Sequence, residues 1–472
     1  MAIGLEHRID EIDSRPDAVA RDGLFWGFFS DKGAAGDVTL SEVFAEVQLP
    51  LIADKPLLKE LTVNLAGRLT DHEYYGQNDT ASAKIGYRPS EPFLIRATWG
   101  TAFRAPNNRE LFLRPISGFT NIADPCYVPE DAQGGIQGPN PGGYIPELDL
   151  REPEVLANCR ATGVDPTVAG TFNTANIYNT EVFNVGNLDL DPEESESFSY
   201  GFAYEQDFSN KFDLSLGMTY YSTKVENTVI EPSTGFVIGD CYGDEAGTGS
   251  SIFCGRIDRD LSNPLDPRIQ FLDLGFINRD LERVRGIDYN LSFRDVIDLG
   301  VPVNFSVDLT ANRNLETSLT FTNPDGTVDF ERYEGEWGYP EWQAIGQARL
   351  NWDRWTFNWQ TRYLGAVAQD PESVDEFDDI SGISNTCLGP PDDELCRDLG
   401  ETGSYMIHNL SLNYREDNWF LGVGVRNLED KAPPLADATE VLGAKARPIG
   451  YGYDFYGRVF FVNASYNFDI GF

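Results

Sequence analysis

The sequence predicts an all-β fold, an antiparallel up-and-down transmembrane β-barrel of about fourteen strands with long loops on one rim and tight turns on the other. Three observations carry that reading. Apolar and polar residues alternate with period two along most of the chain, the connections between these runs switch between long and short, and all six cysteines fall in long connections.

Composition narrows the choice first. Aromatics make up 12% of the chain while mean hydropathy is −0.35, and no run reaches the ~18 consecutive apolar residues of a membrane helix. A helical membrane protein is excluded. The formal net charge of −40 excludes nucleic acid as a partner, because phosphate neutralisation needs clustered Lys and Arg.

Taken in order, alternating runs occur near residues 1–9, 39–49, 59–70, 79–88, 93–103, 195–206, 211–226, 276–294, 301–314, 339–351, 354–367, 403–414, 418–427 and 456–468. Leu61, Val63, Leu65 and Leu69 oppose Thr62, Asn64, Arg68 and Thr70; Phe212, Leu214, Leu216 and Met218 oppose Asp213, Ser215, Gly217 and Thr219. Trp355, Phe357, Trp359 and Tyr363 stand against Thr356, Asn358, Gln360 and Arg362. Many runs reach the ~9–11 residues that cross a bilayer at a tilt.

The connections 10–38, 104–194, 227–275, 315–338, 368–402 and 428–455 are long, and 71–78 is moderate. Those at 50–58, 89–92, 207–210, 295–300, 352–353 and 415–417 are short. In a meander every second connection shares a rim, so this alternation has the asymmetry of an outer-membrane barrel. The cysteines pair by sequence neighbourhood as Cys126 with Cys159, Cys241 with Cys254, and Cys387 with Cys396, which implies an oxidising compartment. A zinc site is the competing reading, but no C-x2-C spacing occurs and the three His lie far apart. Met1 to Arg8 lacks the apolar core of a signal peptide, so an exported chain of this kind is expected to be a piece of a longer protein. A complete cytosolic protein with free thiols is the alternative. The acidic run 370–398 reads as a solvated loop, or as a divalent-cation site, calcium included, at Asp375, Glu376, Asp378 and Asp379.

Phe103-Arg104-Ala105-Pro106 at the end of a strand, followed by Glu110-Leu111-Phe112, resembles a segment of TonB-dependent outer-membrane receptors. The stretch from Gly186 to Ser195 resembles that family's Asn-x-x-Leu-x-Pro-Glu-x-Ser landmark, and Val225-Glu226-Asn227 and Arg285-Gly286-Ile287-Asp288 resemble later ones. Val425-Arg426-Asn427-Leu428-Glu429-Asp430 and Gly457 to Phe468 resemble the family's last hairpin, with Phe460, Val462, Ala464, Tyr466 and Phe468 toward lipid; the chain runs on to Phe472, which leaves open which aromatic ends the barrel.

The resemblance implies that residues 1–472 are the C-terminal part of a receptor barrel, about fourteen of an expected 22 strands, with the plug absent. It implies residence in the bacterial outer membrane as a monomer among outer-membrane lipid, and coupling to the TonB system through the plug. The cargo would be a chelate, glycan or other small molecule, such as siderophore-iron, cobalamin, carbohydrate or peptide. Tyr127, Tyr144, Tyr178, Phe236, Tyr242, Trp337 and Phe377, aromatics in the long loops, are the ligand-contact candidates; loop packing is the other role open to each. Pro106 would end strand pairing and Arg104 would pair with a rim carboxylate. An enzyme finds no support, since G-x-S-x-G, H-E-x-x-H and Walker A patterns are absent. A complete 14-stranded porin or lipid transporter is the nearer alternative, and it predicts pairing of the first and last strands; a soluble β-sandwich is the third reading.

Overall fold

Alternation becomes a wall. The computed structural model describes residues 1–26, 29–134, 143–171, 176–208, 212–243, 247–322, 328–368, 402–435 and 447–468. Strand β1 (Ala2–Ser14) is followed by a short helix α1 (Ala18–Arg21) and then by β2 (Ala34–Lys55), β3 (Leu58–His72), β4 (Gly76–Ser90) and β5 (Phe93–Arg104). The chain leaves the wall through α2 (Asn108–Phe112), β6 (Ile116–Ala123), α3 (Pro153–Ala161) and β7 (Ile177–Asn184), and returns as β8 (Glu193–Asp207) and β9 (Phe212–Ile230). A second excursion holds α4 (Thr234–Gly243), β10 (Ile257–Arg259) and β11 (Ile269–Asp273). The remaining strands are β12 (Ile277–Asp298), β13 (Pro302–Thr322), β14 (Val328–Arg332), β15 (Trp342–Trp352), β16 (Trp355–Leu364), β17 (Tyr405–Arg415), β18 (Trp419–Arg426) and β19 (Val459–Tyr466).

The wall strands pair in the order β1-β2-β3-β4-β5-β8-β9-β12-β13-β15-β16-β17-β18-β19, every pairing antiparallel, with β14 a short flap on β13. These are the fourteen alternating runs of the sequence. Register shows why they hold. One row crosses eight strands as Ile95, Phe202, Met218, Tyr289, Ala311, Ala344, Tyr363 and Met406. The row beside it, on the other face, begins Arg96, Gly201, Thr219, Asp288, Asn312 and Gln343. A slip of one residue would exchange the apolar and polar faces, so the two solvents lock the register.

Turns follow the expected asymmetry with one difference. The connection between β3 and β4 shrinks to residues 73–75, because both strands extend past the alternating runs and Asp71 and His72 pair with Gln77 and Gly76. The wall has two edges: β1 pairs only with β2 and β19 only with β18 among the described residues. Apolar side chains there are barer than in mid-wall, Leu5 at 81% and Phe460 at 75% exposed against 42% for Phe198, as expected where a neighbouring strand is lacking on one side.

The two excursions fold into a module of their own. β10, β11, β7 and β6 form a second sheet in that order, with β11 parallel to β7. Below it lies the largest buried apolar cluster among the described residues, which includes Ile122, Tyr127, Val164, Tyr178, Val237, Tyr242, Phe253, Ile269 and Leu272.

Candidate functional site

Each excursion is stapled internally, by Cys126–Cys159 in the first and Cys241–Cys254 in the second. Polar groups then join the two. Arg259 donates to Asp124 at 2.6 Å with both side chains almost fully buried, and its Nη2 donates to the Tyr242 hydroxyl at 2.9 Å. Tyr178 donates to Asp124 at 2.6 Å and accepts from the Ile269 amide at 2.8 Å. Tyr127 donates to Asp266 at 2.6 Å, and Asn158 donates to the Tyr242 carbonyl and accepts from the Gly249 amide. Burial, and then the Asp124 and Asp266 carboxylates, push the Tyr178 and Tyr127 phenols well above their usual range, so both stay neutral donors. Gly170 sits at φ +78 with its α-hydrogen toward Tyr127, whose ring would lie 2.8 Å from any Cβ there.

Three loop aromatics singled out by sequence are therefore interior. Tyr127, Tyr178 and Tyr242 are buried, and Phe236 packs against Phe253 and Phe321 at the module's base. Tyr144 donates to Asp149, which Arg151 clamps through a 2.7 Å contact. The Arg151 guanidinium, with the Tyr144 hydroxyl, brings the Asp149 carboxyl down to about 2. The aromatics left bare are others: cross-strand neighbours Phe119, Glu181 and Phe271 form a row on the open face of the module's sheet. Phe377, Cys387, Cys396, Asp375, Glu376, Asp378, Asp379 and Phe472 lie outside the described residues, and no cluster able to hold a metal occurs among those described.

The module is anchored where the sequence landmarks meet. β5 ends at Arg104, whose Nε and Nη2 donate to Glu193 at 2.5 and 2.6 Å while Nη1 reaches Glu110 at 3.0 Å. Phe103 is the last aromatic of β5, and Ala105 leads into buried Pro106. Asn107 caps α2 and Glu110 closes a capping box; Leu111 is buried and Phe112 packs edge-on to Tyr74. The returning chain donates from Gly186 to the Leu113 carbonyl and from Asn187 to that of Glu110, so closely that a Cβ on Gly186 would meet the Leu111 oxygen at 2.5 Å. Glu193 also accepts from the Val229 amide, and Asn278 donates to the carbonyls of Asp191 and Asn227. Four stretches far apart in sequence become one corner.

Elsewhere at the long-loop ends, β16, β17 and β18 carry Gln360, Arg362, Asn409 and Arg426 on the polar face, where with the segment 449–456 they line an open pocket, and Arg426 also stacks over the Phe461 ring. Tyr453 packs edge-on to Tyr405 and against Trp337, which is buried, with its indole N–H unpartnered among the described residues. Burial pushes the Tyr453 phenol up to about 12, so it is a neutral donor at physiological pH. Loop inspection could not have found Arg362 and Arg426, which belong to strands; the signal was their parity, on the polar face at the long-loop ends of β16 and β18.

A family profile described as TonB dependent receptor-like, beta-barrel, matches residues 11–428. The chain belongs to the TonB-dependent receptors. Among solved structures, the ferric enterobactin receptor of Pseudomonas aeruginosa is similar at 15% identity and TM-score 0.53, over 98% of this chain and 51% of that one. The siderophore receptor PirA of Acinetobacter baumannii is similar at 14% identity and TM-score 0.50, over 99% of this chain and 52% of that one. This receptor chain thus spans about half the length of the solved receptors it matches. No curated protein matches it. The family consists of outer-membrane transport receptors rather than enzymes.

Proposed function

We propose that this protein is a non-enzymatic outer-membrane receptor that captures a scarce extracellular substrate at its long-loop rim and imports it with energy transmitted by TonB through a plug. The observation that carries this reading is the pairing of a two-faced wall with a folded, disulfide-stapled module built from two of its long loops. A cored unit built from two loops and fastened to the rim suits capture better than free passage, and β1 and β19 each have a single strand partner among the described residues. The likeness to siderophore receptors supports iron chelates ahead of cobalamin, carbohydrate or peptide.

The test is uptake by cells carrying or lacking the gene, with ferric siderophores, cobalamin, oligosaccharides and peptides offered in turn. Gene-dependent uptake that stops on TonB deletion or on collapse of the proton gradient is expected. Uptake that persists without TonB would replace the receptor with a porin.

A further inference from the structure

Strand pairing in the module sets four side chains from four strands in one line across its sheet: Phe119 on β6, Glu181 on β7, Phe271 on β11 and Asp258 on β10. Aromatic and acid alternate along it, one step per strand, at the ~4.8 Å spacing of neighbouring strands. Their sequence neighbours Val182, Leu272 and Ile257 turn into the buried cluster, so a period of two turns this line away from it. Phe119 and Phe271 are 50% and 38% exposed, and neither Glu181 nor Asp258 makes a side-chain hydrogen bond or ion pair among the described residues. Further rings widen the surface: Phe29 tilts against Phe119 at 5.4 Å, and Phe183 meets Phe271 edge-on at 5.6 Å. Asp273, opposite Phe183, adds a carboxylate; its basic neighbour Arg256 stands 3.9 Å away, donates to the Gly275 carbonyl at 2.8 Å and stacks over Phe253 in the core.

We propose that this face docks a basic polypeptide segment, whose arginine or lysine side chains sit against the Phe119 and Phe271 rings and pair with Glu181 and Asp258. The inference adds a partner to the receptor reading and rests on it only in placing the module outside the cell. An aromatic face attracts a cation through its quadrupole, and a carboxylate beside the ring holds the same cation by charge, so each aromatic-acid step seats one cationic group. The two carboxylates lie two strands apart, about 10 Å. Basic side chains two residues apart on an extended chain start about 7 Å from each other, and their long stems cover the difference. A purely apolar partner would bury two carboxylates without pairing them. A second copy of this chain, at a net charge of −40, would bring more negative charge to a negative face, and nucleic acid is repelled in the same way.

The experiment measures binding of fluorescent octa-arginine to the full-length protein in detergent by anisotropy, with oligoglutamate and glycine-serine peptides of equal length as controls and spermine as a competitor. Saturable binding of the basic peptide alone is expected. Glu181→Gln with Asp258→Asn should weaken it about tenfold, whereas Glu147→Gln with Glu152→Gln, an equal charge change at exposed carboxylates elsewhere in the first excursion, should leave it nearly unchanged. Phe119→Leu with Phe271→Leu keeps charge and apolar bulk but removes the rings, and should weaken binding about fivefold. Protease resistance of the module confirms that each variant is folded. Equal losses in the two acid pairs would mean attraction to overall charge and overturn the site, as would leucine variants that bind like wild type. Displacement by equimolar spermine would make the ligand a small polyamine and overturn the polypeptide assignment. A wild-type dimer that the leucine pair turns into a monomer would place a second copy on the face and overturn it too. Peptide binding is measured without TonB, so TonB-independent uptake in cells would defeat the receptor reading alone, and failed peptide binding beside TonB-dependent uptake would defeat the docking face alone.

Discussion

The wall and the module are built from the same chain by opposite means. In the wall, stability is local: each strand pairs with its neighbour in sequence or with the next after an excursion, and the solvent on either side selects the register. In the module, sequence neighbours hardly matter. β7 pairs with β6 across some sixty residues and with β11 across some ninety, and the core is closed by two disulfides and a buried ion pair. A bilayer can organise a long strand by its alternation alone, whereas a water-exposed loop must supply its own interior.

Breaking the join between the two excursions gives the largest effect. Asp124→Ala leaves Arg259 buried without its carboxylate partner and should destabilise the module by about 3–5 kcal/mol, read as rapid proteolysis within residues 105–192 and 231–276 with unchanged heat-modifiable mobility of the wall. Equal loss of both would show that the module is no separate unit. Replacing Cys126 and Cys159 by serine should cost about 3–4 kcal/mol of module stability, more than the same change at Cys241 and Cys254, because the first closes 33 residues and the second 13. Denaturant titration followed by limited proteolysis orders the two.

The wall has its own test. Phe202→Arg, on the apolar row, should cost about 2–4 kcal/mol in lipid, and Gln347→Arg, on the polar face opposite Asp308, close to nothing; refolding into vesicles measures both. Similar costs would mean that the two faces do not meet different solvents, and the reverse order that they have been assigned the wrong way round. The smallest effect comes from acid. Asp149 titrates near 2 in the folded module and in the ordinary carboxylate range when unfolded, so its contribution is complete above about pH 4 and fades as pH falls toward 2. Proteolytic resistance of the module should therefore drop between those pH values in wild type and much less in Asp149→Asn.

This contrast also explains what could be read beforehand. All fourteen wall strands were legible, because a period of two is a property of contiguous residues such as Phe212 to Tyr221. β6, β7, β10 and β11 were not, since what makes Val182 a strand residue is Leu272, ninety positions away. The aromatics Tyr127, Tyr178 and Tyr242 were visible as special but not their burial, which depends on partners such as Asp124 and Arg259 from separate loops. Arg362 was legible as a polar-face residue; that Arg426 shares its cavity required the order of β16, β17 and β18.

The corner at Arg104 and Glu193 has a consequence for how such proteins diversify. It ties the outgoing strand β5 directly to the returning strand β8, so everything between residues 105 and 192 hangs from a fixed pair of posts. The cost of closing a long loop grows only slowly with its length once its ends are held. Recombination can then exchange one insert for another of quite different size while the same fastening stays in place, and recognition evolves as a replaceable part on an unchanged frame.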